Sequence, residues 1–303
     1  MALDGMNISM TPKSKIPVLD SPRPASLPKM RAPAGSTDCH FHIFGPPQQF
    51  ALSPGCVYTP PSQAGLETYL AMAGKLGLER MVVVQPTAYG TDHSCTLHAV
   101  ETLGLHRARA VAVIDERFTP DELKKLDERG VCCARVNFIT KRGTRVSQLK
   151  AVAKLIAPLG WHLQLYVEGK YLPQLVPTLL SLPVPTVIDH TGRIRPEDGL
   201  NSDAFQSLLR LLNSGKCWVK LCGYRCSRLM PPYKDLMEPA RALITAAPER
   251  CVWGTDWPHP GMYGSLMPDD GELLDLLFEW AGSRELTHRI LVDNPVRLYR
   301  FRV

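Results

Sequence analysis

The chain runs to 303 residues, 45% of them hydrophobic and 21% charged, the composition of a soluble protein with a sizeable core. No apolar run approaches the roughly 18 residues of a membrane-crossing helix. The net charge of +6, from 35 basic and 29 acidic residues, is dispersed rather than gathered into the stripe that a nucleic-acid binder uses.

Residues 1–34 carry Pro12, Pro17, Pro22, Pro24, Pro28 and Pro33 among lysines and arginines, without strand or helix period. This predicts an extended arm ahead of a single domain over 35–303. The same stretch lacks the charged, apolar and small-residue order of a secretory signal. From Ser36 two patterns alternate in chain order. Strand-like Thr37–Phe41 precedes the helical pattern Leu66–Leu76, Arg80–Gln85 precedes Cys95–Leu105, and Ala108–Ile114 precedes Asp121–Arg129. Val131–Asn137 is followed by Val146–Ala157, His162–Val167 by Leu172–Leu180, and Thr186–Asp189 by Ala204–Leu212. Cys217–Leu221 with Leu236–Ala246 and Cys251–Trp253 with Asp270–Trp280 complete the series. Start signals support the helices: Thr119-Pro120-Asp121-Glu122 is a cap followed by proline and acids, and Pro268-Asp269-Asp270 is similar.

Strands alternating with helices predict parallel βαβ units, and eight such units predict the α/β class and a closed (β/α)₈ TIM barrel. The alternative, an open doubly wound sheet, lacks a GxGxxG after its first strand. The nine cysteines are odd in number and contain no CxxC pair, which predicts reduced structural thiols and a cytoplasmic setting. The apolar face Leu273–Trp280 suits core packing and a homo-oligomer contact equally.

In such a barrel, side chains just past the carboxyl ends of the strands line one mouth, where catalysis occurs. His40 and His42, two apart, point to the same side of the first strand. The second strand ends at Gln85 and Thr87; the fourth offers Arg135 and Asn137, followed by Lys141 and Arg142. The fifth offers Tyr166 and Glu168, the sixth Asp189-His190 with Arg193, the seventh Lys220 and Arg225, and the eighth Asp256 and His259. Each of these alone has an ordinary structural explanation. So many polar groups converging on one rim would be an expensive set of desolvated charges without a function.

The set Asp38-x-His40-x-His42, His190 and Asp256 resembles the amidohydrolase superfamily. The fuller set of motifs narrows the resemblance to lactonases similar to 2-pyrone-4,6-dicarboxylate hydrolase. These are His42-Ile-Phe-Gly-Pro46, Gln85 with Gly90-Thr-Asp92, Arg135-Val-Asn-Phe138, Ile188-Asp-His-x-Gly-Arg193, Trp253-Gly-Thr-Asp-Trp-Pro-His-Pro260 and Asn294-Pro-x-Arg-Leu-Tyr299. The resemblance implies a hydrolase that opens a small anionic lactone. Asp256 would be the base or proton shuttle, and His40, His42 and His190 would polarise the carbonyl or hold the attacking water. It further implies substrate contacts at Tyr58, Thr87, Arg135, Tyr166, Arg225 and the pair Lys141 and Arg142, and no obligatory metal. Cys132 stands where relatives often carry an arginine, which leaves Lys141 or Arg142 to replace it; Arg228 could exchange with Arg225.

The residues alone keep alternatives open. Three imidazoles and a carboxylate suffice to bind one Zn²⁺ through His40, His42, His190 and Asp256. A site for two ions usually needs a bridging group from the fourth or fifth strand, where Glu168 is the only possible bridging carboxylate. The same set would serve a lactone isomerase acting on a sugar diacid, or a metal-dependent decarboxylase. A non-catalytic binding or scaffold protein would have no reason to place Asp256 beside three histidines.

Overall fold

The computed structural model describes residues 16–139, 146–229 and 231–302; Lys141 and Arg142 lie outside them. Eight strands occur in sequence order, β1 (Thr37–Phe41), β2 (Arg80–Val84), β3 (Ala108–Val113), β4 (Val131–Asn137), β5 (His162–Tyr166), β6 (Thr186–Ile188), β7 (Cys217–Leu221) and β8 (Cys251–Trp253). Each pairs with the next in parallel. Helices α1 (Leu66–Leu76), α2 (Ser94–Leu103), α3 (Pro120–Glu128), α4 (Val146–Ile156), α5 (Leu172–Ser181), α6 (Asp203–Asn213), α7 (Met237–Ala246) and α8 (Asp270–Ala281) follow the strands one by one. The fold is a (β/α)₈ barrel. Every predicted strand and helix is present. Gln85, Ile114, Val167 and Asp189 fall just past their strands rather than inside them, within the usual uncertainty of element ends.

The strands form because they read as short, nearly continuous apolar runs, which parallel strands need when both faces are covered. Met81–Val84 is fully buried. The helices begin where the sequence supplies caps. Thr119 and Glu122 make a reciprocal capping box, and Ser202 and Asp269 accept from backbone amides of the first turns of α6 and α8. Leu273, Leu274, Leu276, Leu277 and Trp280 are all buried within the chain, so that face of α8 is core.

The far end of the barrel is plugged by a segment whose helices the sequence reading does not predict. A short helix α9 (Arg284–His288), a π-helical turn (Arg289–Asp293) and helix α10 (Asn294–Tyr299) follow α8. Leu298, Tyr299 and Phe301 pack with Cys39, Val82, Val111, Cys133 and Trp218. Asn294 anchors the plug, its Nδ2 donating to the carbonyls of Pro248 at 2.8 Å and Cys251 at 2.7 Å. Residues 16–34 lie along the outside. Leu19 N donates to Thr59 O at 2.9 Å, Ser26 N and Oγ each donate to Asp269 Oδ1 at 2.9 Å, and Ala32 N donates to Leu76 O at 2.9 Å.

Ring closure does not use a full β8–β1 ladder. The segment immediately after β8 makes the seam: Asp256 N donates to His40 O and His42 N donates to Trp257 O, both at 2.7 Å. Gly254 permits this approach, because a Cβ there would stand 2.6 Å from both the backbone N and the Cβ of His40. We expect Gly254→Ala to destabilise the fold by about 1–3 kcal/mol, through overpacking against backbone that has nowhere to go. Urea denaturation measures this; an unchanged midpoint would contradict the seam.

Candidate active site

The seam positions the site. Asp38 Oδ1 accepts from the backbone amides of His40 and Thr255 at 3.0 Å each. Its Oδ2 accepts from Thr255 Oγ1 at 2.6 Å and Tyr69 Oη at 3.0 Å. Register shifts along β1 between Asp38 and Phe41, a bulge-like irregularity of the kind that re-aims side chains beside active sites. As a result Cys39 joins the interior plug, while its neighbour His40 also faces inward, toward Lys220 and Asp189. His190, Asp256 and His259 all hold positive φ, at 50°, 63° and 60°, a conformation non-glycine residues seldom adopt outside constrained sites.

Three imidazoles converge on one carboxylate oxygen. Asp256 Oδ1 lies 3.5 Å from His42 Nε2, 3.6 Å from His40 Nε2 and 4.0 Å from His190 Nε2. The other oxygen, Oδ2, accepts from Tyr224 Oη at 2.6 Å and from Arg225 Nε. Beneath them, His40 Nδ1 stands 3.4 Å from Lys220 Nζ and 3.5 Å from Asp189 Oδ1. Lys220 Nζ donates to Gln164 Oε1 at 2.6 Å, and Gln164 Nε2 donates to Asp189 Oδ2 at 2.8 Å. Asp38, His40, His190, Asp189, Lys220 and Asp256 are all buried.

Burial lowers the proton affinity of every imidazole in the cluster. For His40 the Lys220 ammonium adds to the effect, and His190 falls to about 4. All three are therefore neutral at physiological pH. Burial alone would raise the Asp256 carboxyl, but the Arg225 guanidinium outweighs it and holds the group well below the usual range. Asp189 is likewise lowered, its burial overcome chiefly by Lys220. His42 Nδ1 lies 2.6 Å from Val84 O. A carbonyl only accepts, so Nδ1 carries the hydrogen and Nε2 presents a lone pair to the site.

The mouth is a pocket of about 490 Å³, lined by His42, His190 and Asp256 together with Tyr58, Thr87, Arg135, Tyr166 and Arg225. The structure thus brings Tyr58, Thr87, Arg135, Tyr166 and Arg225 around His42, His190 and Asp256, with His40 just behind His42; the candidates Arg228 and Glu168 are not among them. Arg135 Nη1 donates to Gln85 O at 3.0 Å, and its guanidinium lies 5.7 Å from the Tyr166 ring centroid. Burial pushes the Tyr58 hydroxyl up to about 12, so it stays protonated. Arg225 is committed to Asp256 and, through Nη2, to Pro260 O at 3.0 Å. Arg228, the alternative to Arg225, pairs at 2.6 Å with Glu197 instead. Glu168 pairs with Lys170 at 2.8 Å and joins neither group of potential metal ligands, so it is not placed to bridge two ions.

A divalent ion fits the donor set. His40 Nε2, His42 Nε2 and Asp256 Oδ1 are mutually 3.4–3.6 Å apart, a spacing compatible with metal bonds of about 2.0–2.1 Å. The Val84 carbonyl fixes the His42 tautomer that a metal requires. His40, Asp189 and His190 form a second possible group that shares His40 with the first.

Several participants have roles the sequence did not reveal. Lys220, Asp189 and His259 were legible only as strand-end positions. Gln164 could have been found as the middle of His162-x-Gln164-x-Tyr166, polar residues recurring every second position on one face of β5. Tyr224 and Asp270 carry no such signal.

A parallel barrel with a carboxylate and three neutral imidazoles at the carboxyl end of its strands is an enzyme scaffold. The chain belongs to the amidohydrolase family, whose model matches residues 37–301. It is 39% identical to a 4-sulfomuconolactone hydrolase of Hydrogenophaga intermedia over 88% of this chain and 89% of the relative. It is 37% identical to a 2-pyrone-4,6-dicarboxylate hydrolase of Comamonas testosteroni (90% and 93% covered) and 31% identical to a D-galactarolactone isomerase of Agrobacterium fabrum (91% and 94%). Among solved structures, an apo crystal structure from Agrobacterium tumefaciens matches with a TM-score of 0.82 at 32% identity, covering 90% of this chain and 98% of that one.

Because burial depresses all three imidazoles, their ring signals in nuclear magnetic resonance should titrate below the ordinary histidine midpoint. Protonation of His190 is expected only near 4. A midpoint near the ordinary value of about 6.5 for any of them would contradict the geometry.

Proposed function

We propose that this chain is a hydrolase that opens an anionic lactone ring by attack of water on the ring carbonyl. The observation that carries the proposal is the division of labour on Asp256. Oδ2 is occupied by two donors, while Oδ1 faces three uncharged imidazoles 3.5–4.0 Å away on the pocket floor. An ionised carboxylate with one free oxygen beside neutral donors and acceptors is equipped to take a proton from water as it attacks. The carbonyl oxygen becomes an oxyanion, which imidazole N–H groups stabilise, each such donor contributing roughly 3–4 kcal/mol. The carbon–oxygen ring bond then breaks, and Asp256 passes its proton to the departing oxygen. The products are a carboxylate and a hydroxyl.

The anionic class is supported by the guanidinium groups of Arg135 and Arg225 at the pocket and of Arg193 bound to the Tyr166 hydroxyl at 2.7 Å. Arginine recognises planar carboxylates bidentately. A pyrone dicarboxylate, a sulfonated muconolactone and a sugar-acid lactone, the substrates named for relatives, all belong to this class. The isomerase among those relatives supports a second reading, in which a substrate hydroxyl replaces water and the ring re-forms.

His40, His42, Asp256 and, at slightly longer range, His190 would hold a divalent ion, which would lower the pKa of bound water and polarise the carbonyl. We propose that no metal is obligatory. Support comes from Lys220, whose ammonium lies 3.4 Å from His40 Nδ1 and opposes the pull of Asp189 Oδ1, 3.5 Å from the same atom; with Lys220 prevailing, the hydrogen sits on Nε2 and His40 acts as a donor rather than a ligand. We also place the enzyme in the cytoplasm, an assignment supported by nine free cysteines, eight of them buried.

Asp256→Asn cannot accept the water proton. Its kcat should fall by about 10²–10⁴-fold, with lactone binding by calorimetry within a few-fold of wild type. Unchanged kcat would refute the assignment. Dialysis against a chelator, with metal content followed by elemental analysis, should leave turnover intact; loss of turnover restored by Zn²⁺ would establish an obligatory ion.

A further inference from the structure

Behind Asp256 lies a buried line of polar side chains that the chemistry above does not use. Tyr224, which donates to Asp256 Oδ2, has its oxygen 3.2 Å from His259 Nδ1. His259 Nε2 lies 3.2 Å from Asp270 Oδ1. Tyr224 is 3% exposed, His259 1% and Asp270 0%, so water does not compete for these contacts. The turn from Asp256 to His259, closed by His259 N donating to Asp256 O at 2.8 Å, folds His259 back alongside the base. Asp270 opens α8, where the partial positive charge of the helix start favours a carboxylate. The His259–Asp270 contact is close but poorly aligned, and neither Asp270 oxygen has a directed hydrogen bond among the described residues. A carboxylate only accepts, so the ring nitrogen that faces Asp270, Nε2, carries hydrogen.

Hydrogen-bond chemistry orders the line. The Asp256 carboxylate can only accept, so the single Tyr224 hydroxyl hydrogen points at Oδ2. The Tyr224 oxygen must then accept from His259, which requires hydrogen on Nδ1. We propose that His259 and Asp270 are positioning residues. They aim the Tyr224 hydroxyl at Asp256 Oδ2 and thereby leave Oδ1 as the oxygen that exchanges protons with substrate and water. With Asp270 in place both ring nitrogens of His259 carry hydrogen; without the carboxylate the ring needs only one and can keep it on Nε2. Its bare Nδ1 would then draw the Tyr224 hydrogen away from the base.

This inference rests on the proposal that Asp256 is the base in lactone opening, and its test has one arm that needs no substrate. In ¹⁵N-histidine-labelled wild type, the His259 ring should show a hydrogen on Nδ1, and Asp270→Asn should lose that signal. A bare Nδ1 in wild type overturns the inference whatever the protein hydrolyses. In the kinetic arm, Asp270→Asn and Tyr224→Phe should each lower kcat roughly ten- to hundredfold with little change in KM, and the double variant should be no worse than the poorer single one. His259→Asn, which keeps a donor near the Nδ1 position, should retain more kcat than His259→Gln. Additive losses, or equal loss in the two His259 variants, would show a merely structural role and overturn the inference. A wild type with the expected ring hydrogen but no lactonase activity would refute the proposed reaction and leave the line of contacts standing.

Discussion

The structure depends on how the barrel closes. A three-residue β8 is too short to ladder against β1, so the strand after it is replaced by a clamp: one buried carboxylate, Asp38, gathers donors from both sides of the seam. Burial pushes the Asp38 carboxyl up to about 6 even with four hydrogen bonds opposing the shift, so without its donors the charge would not survive there. Those donors include Thr255, the residue directly before Asp256. Closing the ring and placing Asp256 against the histidines are therefore one event, and Asp256 takes a left-handed backbone conformation beside the seam.

Such a site is costly in desolvation and is held by charge balance within the barrel. The negative charge of Asp189 is answered by Lys220 and that of Asp256 by Arg225, which spares the imidazoles from protonation. Gln164 bridges Lys220 and Asp189 and holds the lower pair rigid. Neutral imidazoles beside an ionised carboxylate form a site that can move a proton in either direction at neutral pH, as ring opening and its reversal both require. The same arrangement leaves room for a divalent ion, which makes the tautomer of His40 the point where metal-free and metal-assisted chemistry diverge.

Much of this was legible in the sequence. Strands and helices alternated with clear periods, so the barrel, the inward pair His40 and His42, and the partners His190 and Asp256 followed from topology. What stayed hidden depended on side-chain direction or on contacts between distant segments. The irregularity in β1 that turns both Cys39 and His40 inward has no signature in Asp38-Cys-His. Tyr224 sits in an irregular turn, and Asp270 looks like an ordinary first-turn helix acid until His259 folds back upon it. The segment 284–299 is a run of short helical turns, too brief to show a hydrophobic period. Its closing motif, Asn294 to Tyr299, forms the plug of the barrel.

The chain is an amidohydrolase, and the reaction proposed for it is water attack on a cyclic ester in front of Asp256. Turnover of an anionic lactone in H₂¹⁸O, with the product examined by mass spectrometry and nuclear magnetic resonance, tests that directly. The account predicts a ring-opened hydroxy acid carrying the label in its newly formed carboxylate. A ring-retaining product without label, or label in the hydroxyl group, would contradict it.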